Sequence, residues 1–141
     1  MNVFIDTGAF LAIADKSDMS HRLVTSIYEE VIGQRTILYT SNYVIDEAIT
    51  LIRARVGHKA ATLFINGFAA SKIKVLWVTR SDEDSAKEIF IKYKDKDFSF
   101  TDCVSFSLID RYLIDAILSL DAHFNQYGYK QKVRHLLLKQ K

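Results

Sequence analysis

The sequence contains no proline, five glycines and one cysteine among its 141 residues. A lone Cys103 cannot form an intramolecular disulfide, which excludes a disulfide-stapled secreted scaffold and is typical of a reducing compartment. No uncharged apolar run reaches the 18 residues that a membrane-spanning helix needs. The N-terminal apolar segment contains Asp6 and lacks a basic start, so it does not resemble a signal peptide. These absences predict a cytoplasmic protein with no membrane association.

The chain also lacks a strong excess of charge of either sign. Its 19 basic and 17 acidic residues give a net charge of +2, which neither predicts nor excludes a nucleic-acid partner. Hydrophobic residues make up 49% of the chain and charged residues 26%, which excludes a disordered protein. The length predicts one domain over residues 1–141 with a single substantial core.

Because glycine and proline are scarce, the boundaries of helices and strands must come from changes in apolar spacing. Short apolar runs predict strands at residues 2–6, 36–40, 74–79 and 115–120, with a fifth at residues 133–138. Helices are predicted at residues 7–14, 21–32, 58–70, 81–94 and 101–111, and one follows the second strand and ends near Gly57. The predicted N-caps are Ser20, Ser41 or Asn42, and Ser81. This alternation predicts an α/β protein: a three-layer α/β/α sandwich around a four- to five-stranded parallel sheet.

Acidic side chains occur where the predicted strands end and where the following helices begin. Asp6 follows the first strand and Asp121 the fourth, so both are expected at the carboxyl edge of the sheet. Glu47 lies early in the helix after the second strand, and Asp102 opens the helix before the fourth. Ligands of open parallel sheets bind at this edge. We therefore expect these four carboxylates to line one pocket.

Other acids compete for two of these places. Asp46 and Glu47 lie about 100° apart on a helix, so only one is expected to face inward. The apolar positions of that helix favour Glu47, because they place it beside the core-facing stripe. Asp102 lies between apolar segments, whereas Asp95 and Asp97 lie in a lysine-rich loop and are expected to be solvated.

Four carboxylates on one rim would repel each other and raise their pKa values without a cation. Mg²⁺ and Mn²⁺ prefer oxygen ligands and keep several waters. Such a cation suits phosphodiester cleavage, because it polarises the phosphoryl group and lowers the pKa of an attacking water. The pattern therefore indicates a metal-dependent hydrolase.

Four segments of the chain carry a resemblance to a known family: FIDTGAFLA, TSNYVIDEAITLI, FSFTDCVSFSLID and ILSLDAHF. They resemble, in order, the acidic motifs of the PIN-domain ribonucleases, and most of all the VapC-type toxin nucleases of bacteria and archaea. The resemblance implies a PIN-like fold and a ribonuclease site in which Asp6, Glu47, Asp102 and Asp121 bind Mg²⁺ or Mn²⁺. It also implies a homodimer and, for a toxin, an antitoxin partner.

The same resemblance gives Thr7 a place beside the first acid, where the family often has a small hydroxyl residue. Gly8 departs from the pattern, since many members have Asn or Ser there. Arg53 and Arg55 follow Glu47 on the same helix and are candidate RNA contacts, although a solvated helix face explains them equally well. The basic C-terminal tail, residues 130–141, is open to the same two interpretations.

Two further residues near the acids have ordinary structural explanations. His123 follows Asp121 closely and could act as a base or metal ligand, but a histidine in such a loop is more often a surface group. Cys103 has no evident histidine partner and is expected to be a buried structural thiol.

The sequence thus predicts a metal-dependent endoribonuclease, the toxin of a type II toxin–antitoxin system. The alternative within this class is a housekeeping RNA-processing nuclease. From another class, a receiver-type signalling module also uses an acidic pocket on a parallel sheet, but the acids and lysine that it needs are not arranged that way here. A haloacid-dehalogenase-type phosphatase would need two acids after the first strand, where only Asp6 occurs, and an inactive binding module of the same fold remains an alternative.

Overall fold

A computed structural model describes residues 1–127 and the backbone of residues 134 and 135. It contains one sheet of five parallel strands in the order β3-β2-β1-β4-β5. The strands are β1 (Asn2–Ile5), β2 (Ile37–Ser41), β3 (Lys74–Leu76), β4 (Ala116–Leu118) and β5 (Arg134–His135). The predicted parallel sheet is confirmed. The remainder of the predicted strand 133–138 lies outside the described residues, as do the side chains of the basic tail.

Helices cover the sheet and complete the expected α/β/α sandwich. In the described part of the chain they are α1 (Thr7–Ala14), α2 (His21–Ile32), α3 (Asn42–Arg55), α4 (His58–Ala70), α5 (Arg80–Lys92), α6 (Phe100–Arg111) and α7 (His123–Gln126). Helix α1 packs against α2 and α3, and α5 packs along α6. Within the described residues, no helix is both long enough and apolar enough to cross a membrane.

The helix starts confirm one predicted cap and correct others. Ser41 accepts a hydrogen bond from the Val44 amide and caps α3. Ser20 precedes α2, but its side chain makes no capping hydrogen bond. The prediction that Ser81 caps α5 is wrong, because the cap is Thr79, which forms a capping box with Asp82. Strand β3 is correspondingly shorter than predicted.

The core is built on the two central strands. The side chains of Val3, Phe4 and Ile5 in β1 are fully buried, and so is the whole of β4. Apolar residues on both faces are expected of parallel strands covered by helices on each side. Cys103 is also fully buried, as predicted, and burial raises the pKa of its thiol to about 11.

The order of the strands determines where a ligand can bind. From β1 the chain builds β2 and β3 on one side and then crosses to β4 and β5 on the other. The point of reversal lies between β1 and β4, whose carboxyl ends form the natural ligand crevice of such a sheet. The ladder ends with Ile5 paired to Leu118, so the next residues of each strand, Asp6 and Ser119, are neighbours at this crevice.

Candidate active site

A cavity of about 510 Å³ opens at the carboxyl ends of β1 and β4. Its wall includes residues from the ends of both strands and from α1, α3 and α6. All four acids singled out from the sequence line it: Asp6, Glu47, Asp102 and Asp121. The chain therefore brings together side chains that are up to 115 positions apart in a single acidic cavity.

Asp6 lies at the turn from β1 into α1 and is almost completely buried. Its backbone amide continues the sheet by donating to Leu118 O at 3.1 Å, which fixes the direction in which the side chain leaves the strand. The Ser119 hydroxyl donates to Asp6 Oδ2 at 3.1 Å. Burial, and next the negative charge of Asp102, raise the pKa of Asp6 to about 7.

Asp102 is held by a capping box at the start of α6. Its amide donates to Ser99 Oγ at 3.0 Å, and the Ser99 amide donates back to Asp102 Oδ2 at 3.0 Å. Asp102 therefore has an ordinary structural role as the acid of a capping box. Its carboxyl group is nevertheless buried in the cavity, and burial raises its pKa despite the hydrogen bond from Ser99.

Asp121 is positioned by the chain that leaves β4. The sequence predicted that it directly follows the strand, but β4 ends at Leu118 and two residues intervene. The amide of Asp121 donates to Ser119 Oγ at 2.9 Å, while the same hydroxyl donates to Asp6. Ser119 therefore ties the acid after β1 to the acid after β4, a role that the sequence pattern did not reveal.

Glu47 lines the cavity from α3, on the side facing the strand ends. The neighbouring Asp46 is exposed and does not line the cavity. This is the orientation that the helical spacing favoured. The Glu47 carboxylate makes no hydrogen bond or ion pair with any described residue, so it is available to a ligand.

His123 differs most from its sequence-based interpretation. The sequence pattern favoured a surface group, but the imidazole Nδ1 lies 2.8 Å from Asp102 Oδ2 and 2.9 Å from Asp121 Oδ2. One ligand atom from each of these three residues lies within 4.8 Å of the others, a spacing that one metal ion could bridge. A histidine two residues after an aspartate is too common a pattern to indicate a metal ligand. The contact of His123 with Asp102 is therefore revealed only by the fold.

The polar groups of the cavity fit a bound cation. Asp102 uses Oδ2 for its hydrogen bonds and leaves Oδ1 without one in the described chain. Thr7 lines the same cavity, and its buried Oγ1 has no hydrogen-bond partner among the described residues. Thr25, Thr36 and Ser105 also have buried hydroxyls without a partner among the described residues, but of the four only Thr7 lines this cavity, which makes it a candidate contact for a polar ligand.

The two arginines proposed as RNA contacts lie in different places. Both arginines are exposed, but Arg55 lines the cavity wall at the end of α3 and Arg53 does not. A guanidinium at the mouth of an acidic cavity can offset the charge of an incoming phosphate. The structure thus brings Thr7 and Arg55, but not Arg53, to the acids.

Nearly all of this chain matches one protein family. Residues 3–129 match the model of the PIN domain. The chain belongs to the PIN-domain family. This PIN domain is 26% identical over 127 residues to the 23S rRNA-specific endonuclease VapC20 of Mycobacterium tuberculosis, across 90% of this chain and 95% of that protein. It is 30% identical over 124 residues to ribonuclease VapC26 of the same species, across 87% of this chain and 90% of that protein.

Solved structures show the same fold. The crystal structure of VapC20, described as a toxin that cleaves the sarcin-ricin loop, matches this PIN domain with a TM-score of 0.82 at 25% identity, over 89% of this chain and 95% of that one. VapBC2 of Rickettsia felis, solved with a DNA fragment from its promoter, matches with a TM-score of 0.69 at 12% identity, over 91% of this chain and 94% of that one. The second likeness concerns the fold alone.

Family membership excludes one of the alternatives drawn from the sequence, the receiver-type signalling module. A receiver-type signalling module is no longer tenable, because the match to the PIN domain covers residues 3–129. The strand order agrees, since flavodoxin-like receiver folds have the order 2-1-3-4-5 and this sheet has 3-2-1-4-5.

Proposed function

We propose that this PIN domain is an endoribonuclease that depends on Mg²⁺ or Mn²⁺ and acts as the toxin of a type II toxin–antitoxin system. The observation that carries the proposal is the convergence of four acids on one cavity, with ligand atoms of Asp102, Asp121 and His123 within 4.8 Å of one another. The relatives named as VapC ribonucleases support RNA as the substrate.

Asp6, Glu47, Asp102 and Asp121 are the proposed metal-binding residues. When bound, a divalent cation polarises the phosphodiester and lowers the pKa of the attacking water. The protein contributes orientation: Ser99 holds one carboxylate oxygen of Asp102, and Ser119 holds one of Asp6. Fixed carboxylates need little reorganisation when a cation and a phosphate bind.

Thr7 and Arg55 are the proposed phosphate contacts. The Thr7 hydroxyl can donate to a phosphate oxygen inside the cavity, where it lacks a protein partner. The Arg55 side chain at the cavity wall can neutralise the same group. Arg53, which does not line the cavity, would contact only RNA that extends beyond it.

RNA cleavage tests the catalytic part of the proposal. Asp102→Asn is expected to reduce cleavage on the order of a hundredfold or more, because an amide binds a hard cation poorly. Asp46→Asn is the matched control, since Asp46 is exposed and lies outside the cavity. Cleavage of labelled RNA in Mn²⁺ and in EDTA measures both effects. Equal rates in the two buffers, or equal rates for Asp102→Asn and the wild type, would contradict the proposal.

Growth on induction tests the toxin part. Expression of the wild-type chain is expected to arrest growth, and Asp102→Asn at equal protein level is not. Co-expression of a cognate antitoxin, sought as a small reading frame adjacent to this gene, is expected to restore growth. Normal growth with active nuclease present would favour the alternative, a housekeeping RNA-processing enzyme.

The solved relatives include a VapBC assembly and FitAcB of Neisseria gonorrhoeae, which matches with a TM-score of 0.65 at 12% identity. These names support the proposed antitoxin partner. The homodimer and the cytoplasmic location stay predictions from the sequence, the former checked by light scattering of the purified protein.

A further inference from the structure

His123 places a nitrogen atom in a cavity whose other candidate ligands are oxygen atoms. We infer that His123 Nδ1 is a direct ligand of the cation and that this nitrogen shifts the selectivity of the site from Mg²⁺ towards Mn²⁺. The inference rests on the proposed function and deepens it, because it names both a ligand and the ion that this ligand favours.

The spacing of the three atoms fits one octahedral ion. An ion with bonds of about 2.1 Å holds neighbouring ligand atoms about 3.0 Å apart. Nδ1 of His123 lies 2.8 Å from Asp102 Oδ2 and 2.9 Å from Asp121 Oδ2. Nδ1 carries at most one hydrogen, so it can donate a good hydrogen bond to only one of the two carboxylates. The other carboxylate oxygen then lies close to Nδ1 without a good hydrogen bond from it. A cation shared by the three atoms satisfies all of them.

The imidazole is held in place by the protein itself. The backbone amide of His123 donates to Asp121 Oδ1 at 2.9 Å, which fixes the residue relative to one of its two acid neighbours. Its ring packs edge-on against Phe98, with 5.6 Å between ring centroids. Only a quarter of the side chain is exposed. The nitrogen is therefore already positioned when an ion arrives, which lowers the entropic cost of binding.

A second observation points to a ligand in the same cavity. The buried Oγ1 of Thr7 has no hydrogen-bond partner among the described residues, although it lines the wall that carries the acids. An ion and its remaining waters would supply that partner, because a cation of this type keeps several waters when few protein groups bind it.

The chemistry of the donor set predicts the selectivity. Mg²⁺ and Mn²⁺ both favour oxygen ligands, but Mn²⁺ is a first-row transition ion and accepts an imidazole nitrogen more readily than Mg²⁺ does. The site is therefore expected to favour Mn²⁺ relative to an all-carboxylate site.

Pulsed electron paramagnetic resonance of Mn²⁺ bound to the purified full chain tests the ligand directly. The expected result is a coupling between Mn²⁺ and one ¹⁴N nucleus in the wild type. The coupling should disappear in His123→Asp, which keeps a ligand but replaces nitrogen by oxygen. It should persist in His58→Gln, which alters an exposed histidine outside the cavity.

Calorimetric titration with each ion tests the selectivity. The ratio of the Mg²⁺ and Mn²⁺ dissociation constants is expected to fall at least about tenfold in His123→Asp and to stay unchanged in His58→Gln. Circular dichroism melts of the variants show whether each is folded. The absence of a nitrogen coupling in the folded wild type overturns the inference even if the His123 variant does not fold.

Two outcomes separate failure of this inference from failure of the proposed function. Mn²⁺ that binds the wild type but not Asp102→Asn, with no nitrogen coupling, overturns the role of His123 and leaves the metal-dependent nuclease intact. Mn²⁺ that binds the wild type and Asp102→Asn equally, or a wild type that binds neither Mn²⁺ nor Mg²⁺, overturns both.

Discussion

At the scale of single residues, the cavity combines carboxyl groups that are costly to ionise together. Burial and the charge of Asp102 raise the pKa of Asp6 to about 7, and burial also raises the pKa of Asp102. A bound divalent cation reverses this effect, because it favours the ionised carboxylates. Binding of the ion near neutral pH is therefore expected to release protons.

The stability of the metal-free protein tests this account of Asp6. Folding raises its pKa from 3.8 to about 7, so the native state holds the extra proton between those values. The proton bound to Asp6 therefore stabilises the native state at low pH, and this stabilisation is lost as the pH rises through 7. Asp6→Asn removes the titration. We predict that raising the pH from 5 to 8 destabilises the wild type more than Asp6→Asn, by on the order of 1–3 kcal/mol.

Urea unfolding of both proteins in EDTA, at pH 5 and pH 8, measures the difference. The Asp46→Asn variant is the control, since its exposed carboxylate is outside the cavity. If the free energy of unfolding has the same pH dependence in the wild type and in Asp6→Asn, then folding does not raise the pKa of Asp6.

The sequence located the acids better than it located their partners. Asp6, Glu47, Asp102 and Asp121 could be found because each follows a local rule about strand ends and helix starts. Ser119 could not, because its hydroxyl matters only where β1 and β4 lie side by side. His123 was missed for the same reason, since its contact with Asp102 spans 21 residues and depends on the path of the chain after β4.

At the scale of helices and strands, the pair α5 and α6 supports the site through its end caps. Thr79 and Ser99 each form a capping box with the acid three residues later. The acid of the first box, Asp82, is buried and receives two hydrogen bonds of 2.8 Å from Arg111 at the end of α6. This ion pair joins the start of α5 to the end of the helix that carries Asp102.

Removal of Arg111 tests the contribution of this pair. Burial by itself would raise the pKa of Asp82, but the hydrogen bonds from Arg111 and Thr79 hold it below its usual value. An acid whose pKa is lowered by folding stabilises the native state at pH values above its ordinary pKa. This stabilisation is lost as the pH falls through the pKa of the folded state. Arg111→Ala is expected to cost about 1–3 kcal/mol at pH 7 and less below pH 4.

Thermal unfolding at pH 7 and at pH 3 measures this cost. Lys87→Ala, an exposed position on α5, should change little at either pH. A destabilisation by Arg111→Ala that is as large at pH 3 as at pH 7 would mean that packing of the arginine, rather than its charge on Asp82, carries the effect.

The errors in the predicted elements have a common physical origin. Thr79 and Ser81 both have an aspartate three residues later, so the sequence offers two overlapping capping boxes. The strand was predicted to run to Thr79, which favoured the later one. In the structure, β3 ends at Leu76 and the Val78 amide donates instead to Asn42 Oδ1, at the start of α3, at 2.9 Å. A tertiary hydrogen bond therefore ended the strand and selected the earlier cap.

At the scale of the whole molecule, topology creates the cavity. The alternating pattern predicted a parallel sheet but not the order of its strands. Tertiary packing, rather than local sequence, determines that the chain crosses from β3 to the far side of β1 to form β4. That crossover places β1 beside β4 and puts Asp6 next to Ser119. Any order that separated these two strands would have dispersed the acids.

The most direct test of the central claim is the anomalous diffraction of crystals grown or soaked with Mn²⁺. The account predicts an anomalous peak in the cavity at the carboxyl ends of β1 and β4, within bonding distance of Asp102 and Asp121. The same crystals of Asp102→Asn should lose the peak. A cavity without a peak in the wild type, or Mn²⁺ bound only at another surface, would contradict the claim that these carboxylates form one metal site.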